Sequence, residues 1–318
     1  MSAIVQTNLQ YTFKIFDEEF SHLVLLFLVP MMLRGSEDNK LLSLSLLTGL
    51  VVACIYVFVM SFLLKITFNK IAFLELLKLH HTYLSIYTLF FVNILLSSIS
   101  SNKKLRFTTQ NIIFSATIIV AFLLLFVLGS KVAMVVYFIF IAFYAFKLFS
   151  GKKQCYFLVL FIPILVSCFF IFNQKIDTTY TSALNFRAEI WEQSLNSIKD
   201  NPFFGNLKMN EKDILNFYHY KNGKYYLMDS DLNSHNQFLS FLIKYGFVGF
   251  IILLFFVFNL FRMKNVRVSK VKINQVIGFF IIMFFTFYIE NVFDRHHGIV
   301  FFTIFFNYYL VKISDEKA

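Results

Sequence analysis

The chain has 318 residues, 58% of them hydrophobic and 15% charged, and 46 are phenylalanine. A soluble domain of this length cannot bury so much apolar surface, because cores grow too slowly with chain length, so lipid is the solvent that fits. The net charge of +11 sits between apolar runs rather than on one polar face, which favours membrane orientation over nucleic-acid binding.

In chain order, Met1 to Tyr11 show no signal-peptide pattern, which predicts no cleaved leader. Apolar runs then predict spans near 20–33, 41–64, 82–99, 110–128, 132–147, 155–172, 237–261, 273–292 and 298–312. None alternates with the period of a barrel strand. The expected fold is all-α, a polytopic bundle of about nine transmembrane helices, or about eight if 20–33 is interfacial. Cys54, Cys155 and Cys168 lie in or at the edge of these runs and read as small core residues. The domain expectation is N-terminal transmembrane helices over 1–172, an outer loop over 173–236 and C-terminal transmembrane helices over 237–318.

Orientation follows from the short connectors. Those at 100–108, 147–153 and 262–272 carry Lys103, Lys104 and Arg106; Lys147, Lys152 and Lys153; and Arg262, Lys264, Arg267, Lys270 and Lys272. Alternation puts all of them on one side, which the positive-inside rule makes cytoplasmic. The connector 65–81 falls outside despite Lys65, Lys70 and Lys78. The long polar segment 173–236 also falls outside, with nearly balanced charge. Loops of that length usually carry function. It opens on an amphipathic helix marked by Phe186, Ile190, Trp191, Leu195 and Ile198. Such a helix suits the interface, with Trp191 at headgroup level, and Asn201-Pro202 ends it.

His235 follows Asn233-Ser234 and precedes the apolar run from Phe238, so it is expected in the first turn of a membrane helix at the outer surface. The positive helix end there disfavours imidazolium and keeps the ring neutral, as a general base requires. The plainer reading is a histidine that only caps a helix, and position alone favours it. Arg187 is expected to open the amphipathic helix. A cation is unfavourable at that end, while a guanidinium fork suits phosphate oxygens. Gly129-Ser130-Lys131 reads as a tight outer hairpin, with Lys131 either snorkelling or facing a cavity as a phosphate-binding charge. Gly246 and Gly249 share one face of the following helix and suit packing or close helix approach.

Glu290, Asp294, Arg295, His296 and His297 cluster after the eighth span, as an ion-paired or substrate-binding rim more readily than a metal site. His81 begins the third span. Together His81, Lys131, Arg187, His235 and Arg295 are expected at one membrane face, which suits a polyanionic lipid headgroup and a hydroxyl to be activated.

Ser234-His235-Asn236-Gln237 followed by Gly246-Phe247-Val248-Gly249 resembles the signature of the O-antigen ligase and polymerase superfamily: His-Asn, nine residues (here 237–245), Gly-x-x-Gly. Phe186-Arg187-Ala188-Glu189-Ile190-Trp191 and Asp200-Asn201-Pro202-Phe203-Phe204-Gly205 are similar to its Arg…Trp…Asn-Pro-x-x-Gly stretch. Gly129-Ser130-Lys131 aligns with a family Ser-Arg pair, and His81-Thr82-Tyr83 and Glu290 to Phe301 look like segments of some branches. The likeness covers about 81–312, with 173–260 as its core.

The resemblance implies a metal-independent, cofactor-free glycosyltransferase of the bacterial inner membrane with its site facing the periplasm. The donor would be an undecaprenyl-diphosphate-linked glycan; the acceptor would be lipid A–core for a ligase or a growing glycan for a polymerase. Membrane lipid is the other partner, and nucleic acid is not. His235 would be the catalytic base. Arg187 and Lys131 would hold the diphosphate, with His81, Arg295 and His297 as further substrate-binding candidates. Lys131 replaces the family arginine, which keeps the charge and loses the bidentate fork. The alternatives are a non-enzymatic transporter of lipid-linked sugars, which would show repeats and mid-membrane charges, and an inactive scaffold.

Overall fold

A computed structural model of the chain describes residues 39–65, 71, 76–77, 80–101, 109–148, 178–207, 209–228, 232–262 and 270–315. The predicted spans 20–33 and 155–172, Cys155, Cys168 and the connector residues 103–106, 152–153 and 264–267 lie outside them. All regular structure among the described residues is helical: α1 Asn39–Leu63, α2 His81–Ser101, α3 Thr109–Leu128, α4 Lys131–Leu148, α5 Thr178–Asp200, α6 Glu211–Lys221, α7 Tyr225–Met228, α8 Gln237–Arg262, α9 Lys270–Ile289, a 3-10 turn Val292–Asp294, and α10 His296–Asp315. By length and hydropathy two helical stretches among these residues suffice to cross a membrane, His81–Ser100 and Gln237–Phe255, while Thr48–Leu63, Ala116–Leu128 and Ile273–Ile289 are shorter apolar helices.

The chain divides into two compact units. The bundle unit comprises residues 37–176 and 269–286. Its centre is α2, which packs against α1, α3 and α4 and buries Tyr83, Leu84, Phe90, Val92 and Ile94. Several of its buried polar residues are satisfied within the unit. Thr88 Oγ1 donates to the Leu84 carbonyl at 2.8 Å. Asn93 Nδ2 donates to the Gln275 carbonyl at 2.9 Å and its Oδ1 accepts from the Tyr144 hydroxyl at 2.7 Å. Gln275 Nε2 donates to Ser97 Oγ at 3.0 Å, and Lys147 bonds Asn274. With no hydrophobic drive between helices in lipid, such polar cross-links and small-residue contacts hold helices together. Gly278 supplies the contact: a Cβ there would lie 2.0 Å from Asn93 Oδ1. The expected 129–131 hairpin is present. Gly129 takes φ +63°, its N–H donates to the Phe126 carbonyl at 3.1 Å, and the Ser130 carbonyl accepts from Met134 N–H at 3.0 Å to open α4.

The loop unit comprises residues 1–36, 177–268 and 287–318. Its core gathers Ile190 and Ile198 of α5, Ile214, Leu215 and Tyr218 of α6, Leu227 of α7 and Ile243 of α8. The apolar stripe of α5 is therefore largely consumed by packing inside the unit.

Helix α8 departs from the sequence expectation. It breaks at Gly246, whose φ of +63° and ψ of −167° are not helical. A loop fills the break: Phe247 N–H donates to the Pro202 carbonyl at 2.8 Å and Val248 N–H to the Phe203 carbonyl at 3.0 Å. These acceptors satisfy amides that the break leaves without an intrahelical partner. Gly205, also at positive φ, faces Gly246 backbone to backbone; a Cβ on Gly246 would lie 2.4 Å from the Phe203 carbonyl. Gly246 thus serves a loop-to-helix contact rather than a helix–helix face, and Gly249 approaches only the Tyr245 side chain. Before the break Ser240 and Ile243 are buried; beyond it Phe247, Ile251, Ile252 and Phe255 are exposed, as on a helix bathed in lipid.

Candidate functional site

The site is built around the chain segment that enters α8. Asn236, not Asn233 or Ser234, is the cap: its Oδ1 accepts from Phe238 N–H at 3.0 Å and Leu239 N–H at 3.2 Å. His235 therefore stands just outside the helix rather than in its first turn, at φ +48°. A non-glycine residue there is strained by about 1–3 kcal/mol and persists only where its surroundings over-determine it. They do so here. Asn233 Oδ1 accepts from His235 N–H at 3.2 Å. Trp191 Nε1 donates to the Ser234 carbonyl at 2.9 Å, with its ring edge-on to Tyr288 at 5.5 Å. So Trp191 braces the site instead of marking only a headgroup level.

The flanking residues are held from behind. Glu211, first residue of α6 and 2% exposed, accepts at Oε1 from Ser234 N–H at 2.8 Å. Its Oε2 accepts from Asn291 Nδ2 at 2.9 Å and from the Ser240 hydroxyl. Asn291, fully buried, accepts in turn at Oδ1 from Asn236 N–H at 2.7 Å. Gln237 Oε1 accepts from Phe293 N–H at 2.8 Å, fastening the turn after α9 to the same segment.

The electrostatic surroundings are cationic with a carboxylate counterweight. Burial first, then the Arg187 and Arg295 guanidiniums, push the His235 pKa below the ordinary histidine range, and Asp294 opposes them. The shift favours the neutral ring, with desolvation as its main cause. The ring's Nδ1 is buried and has no hydrogen-bond partner among the described residues, an orphaned polar atom of the kind that calls for an explanation. Arg187 lies well inside α5, since that helix starts at Thr178, so the expected misfit with the helix N-terminus does not occur. Arg295 Nε pairs with Glu290 Oε1 at 3.4 Å. Glu290 stands just past the end of α9, and burial raises its pKa while Arg295 and Arg187 lower it. Asp294 pairs with Lys244 at 3.5 Å and accepts from Asn233 Nδ2 at 3.0 Å, which matches the expected ion-paired rim.

The loop unit thus brings His235, Arg187 and Arg295 within reach of one another's charge. His297 is exposed in the first turn of α10. Lys131 and His81 belong to the bundle unit, each at the first position of its helix, α4 and α2. No group of three or more metal-ligating side chains occurs among the described residues. Sequence reasoning missed Glu211 and Asn291. The available signal for Glu211 was an acid directly after a helix-capping Asn210, whose Oδ1 accepts from Lys212 N–H at 2.8 Å; Asn291 gave none.

Residues 116–254 match the family model described as O-Antigen ligase. That stretch contains Lys131, Arg187, His235 and the glycines 246 and 249. No curated protein matches the chain.

Proposed function

From the match of residues 116–254 to the O-Antigen ligase family model, we propose that the chain transfers a glycan from an undecaprenyl-diphosphate carrier to an acceptor hydroxyl at the periplasmic face of the bacterial inner membrane. His235 takes the hydroxyl proton. The acceptor oxygen then bonds to the anomeric carbon, and the bond from that carbon to the diphosphate oxygen breaks, its electron pair leaving with the diphosphate. Arg187 neutralises the charge that develops there; Arg295 assists from the rim. Lys131, His81 and His297 keep phosphate- or substrate-binding roles on the strength of the resemblance alone. The diphosphate is already a good leaving group, so one proton acceptor and positive charge are what the chemistry asks of the protein.

The observation that carries this reading is His235 itself: a neutral, strained histidine with a buried, unpartnered Nδ1, set beside the charges of two arginines. Caps are made by Asn236, so helix capping does not explain the histidine. The test is His235→Ala in cells scored for surface glycan. Transfer should fall by ~10²–10⁴-fold with normal protein level in the membrane. Loss of glycan from lipid A–core in the variant marks a ligase, and altered chain length a polymerase. Unchanged transfer and chain length would sink the base assignment.

A further inference from the structure

We propose that Glu211 is a positioning residue for the reaction: its buried carboxylate, acting with Asn291, fixes the backbone on both sides of His235 and so aims the ring. This rests on the reading of His235 as the base.

Glu211 itself cannot reach a substrate. It is 2% exposed, and its oxygens are occupied by Ser234 N–H, Ser240 Oγ and Asn291 Nδ2. What those bonds control is the chain around position 235. Ser234 N–H is held by Glu211 directly, and Asn236 N–H is held by Asn291. Asn291 is oriented by donating the other end of its amide to Glu211 and to Asp294 Oδ2, at 2.9 and 3.0 Å. One carboxylate–amide pair therefore clamps the residues before and after a left-handed histidine.

The arrangement is an expensive way to pack a core. A buried carboxylate costs free energy unless it is fully hydrogen-bonded, and no cation pairs with Glu211 in the described structure. Asp294 nearby adds like charge, which with burial raises the Glu211 pKa against the bonds from Ser234 and Ser240. The start of α6 offers a favourable dipole. An apolar residue would fill the space but would leave Ser234 N–H unpaired and take from the Asn291 amide one of its two acceptors. The geometry thus favours aim over stability, since small displacements of a reacting group are costly to rate.

The full chain in proteoliposomes is assayed with an undecaprenyl-diphosphate-linked oligosaccharide and a hydroxyl-bearing glycan acceptor. Glu211→Gln keeps the shape but turns one acceptor oxygen into a donor facing other donors. The expected result is a kcat lower by about 10²-fold with donor KM unchanged, because Arg187 and the other cations are untouched. Asn291→Ala, which frees Asn236 N–H, should reproduce that split. If Glu211→Gln does not accumulate in the membrane, Asn291→Ala is read in its place. Wild-type kcat per folded molecule in the variant read, or a raised donor KM with kcat unchanged, overturns the role. His235→Ala distinguishes the two failures. Full activity there removes the base reading; loss there with full activity in Glu211→Gln and Asn291→Ala removes only the Glu211 role.

Discussion

The bundle unit and the loop unit solve the same problem, the satisfaction of buried polar groups, in opposite ways. In the bundle unit helices stay regular, and side chains such as Thr88 bond back to the preceding turn or, like Asn93, cross to a neighbouring helix. In the loop unit a helix breaks, a histidine takes a left-handed conformation, and a carboxylate is buried to hold the chain in place. The first pattern gives cohesion in lipid. The second stores strain, which in folded proteins gathers at functional sites. The unit with irregular backbone is therefore where the chemistry is sought.

Glycine substitutions are the sharpest way to break this contrast. Gly246→Ala places a methyl group 2.4 Å from the Phe203 carbonyl at a φ that disfavours side chains. We expect a loss of about 3 kcal/mol or more, read as a lowered Tm in detergent, together with loss of transfer. Gly278→Ala tests the other unit. Its methyl group displaces Asn93 from Gln275 and Tyr144, at a cost of about 1–2 kcal/mol, with transfer per folded molecule retained. If the bundle substitution abolished transfer while the protein stayed folded, the division of labour would be wrong. The smallest effect is on pH. A neutral His235 is required, so the rate should fall as pH drops through a pKa below 6.5. Arg187→Gln removes a positive charge, makes protonation easier and moves that acid limb upward. A kcat/KM profile checks the sign.

Long apolar runs made the helices legible in sequence, because length and composition alone decide what lipid accepts. The family motif singled out His235 and Arg187 as candidates. The break at Gly246 was not, because the apolar pattern runs straight through it and glycine is tolerated in helices. Nor was the conformation of His235, since serine and asparagine beside it suit several capping geometries. Glu211 was hidden for an electrostatic reason: in a segment of nearly balanced charge, a buried carboxylate is written with the same letter as a solvated one. The start of α5 was also misplaced, because its first turns, from Thr178 to Leu184, carry little apolar periodicity.

The contact between Gly205 and Gly246, with the amides of Phe247 and Val248 bound to the carbonyls of Pro202 and Phe203, uses main-chain atoms only. Such a rivet is blind to what its neighbours carry as side chains. Phe203 and Phe204, both more than half exposed, are free to drift in sequence without loosening the joint. The two glycines have no such latitude, so mutational tolerance along this short stretch should alternate sharply from one position to the next.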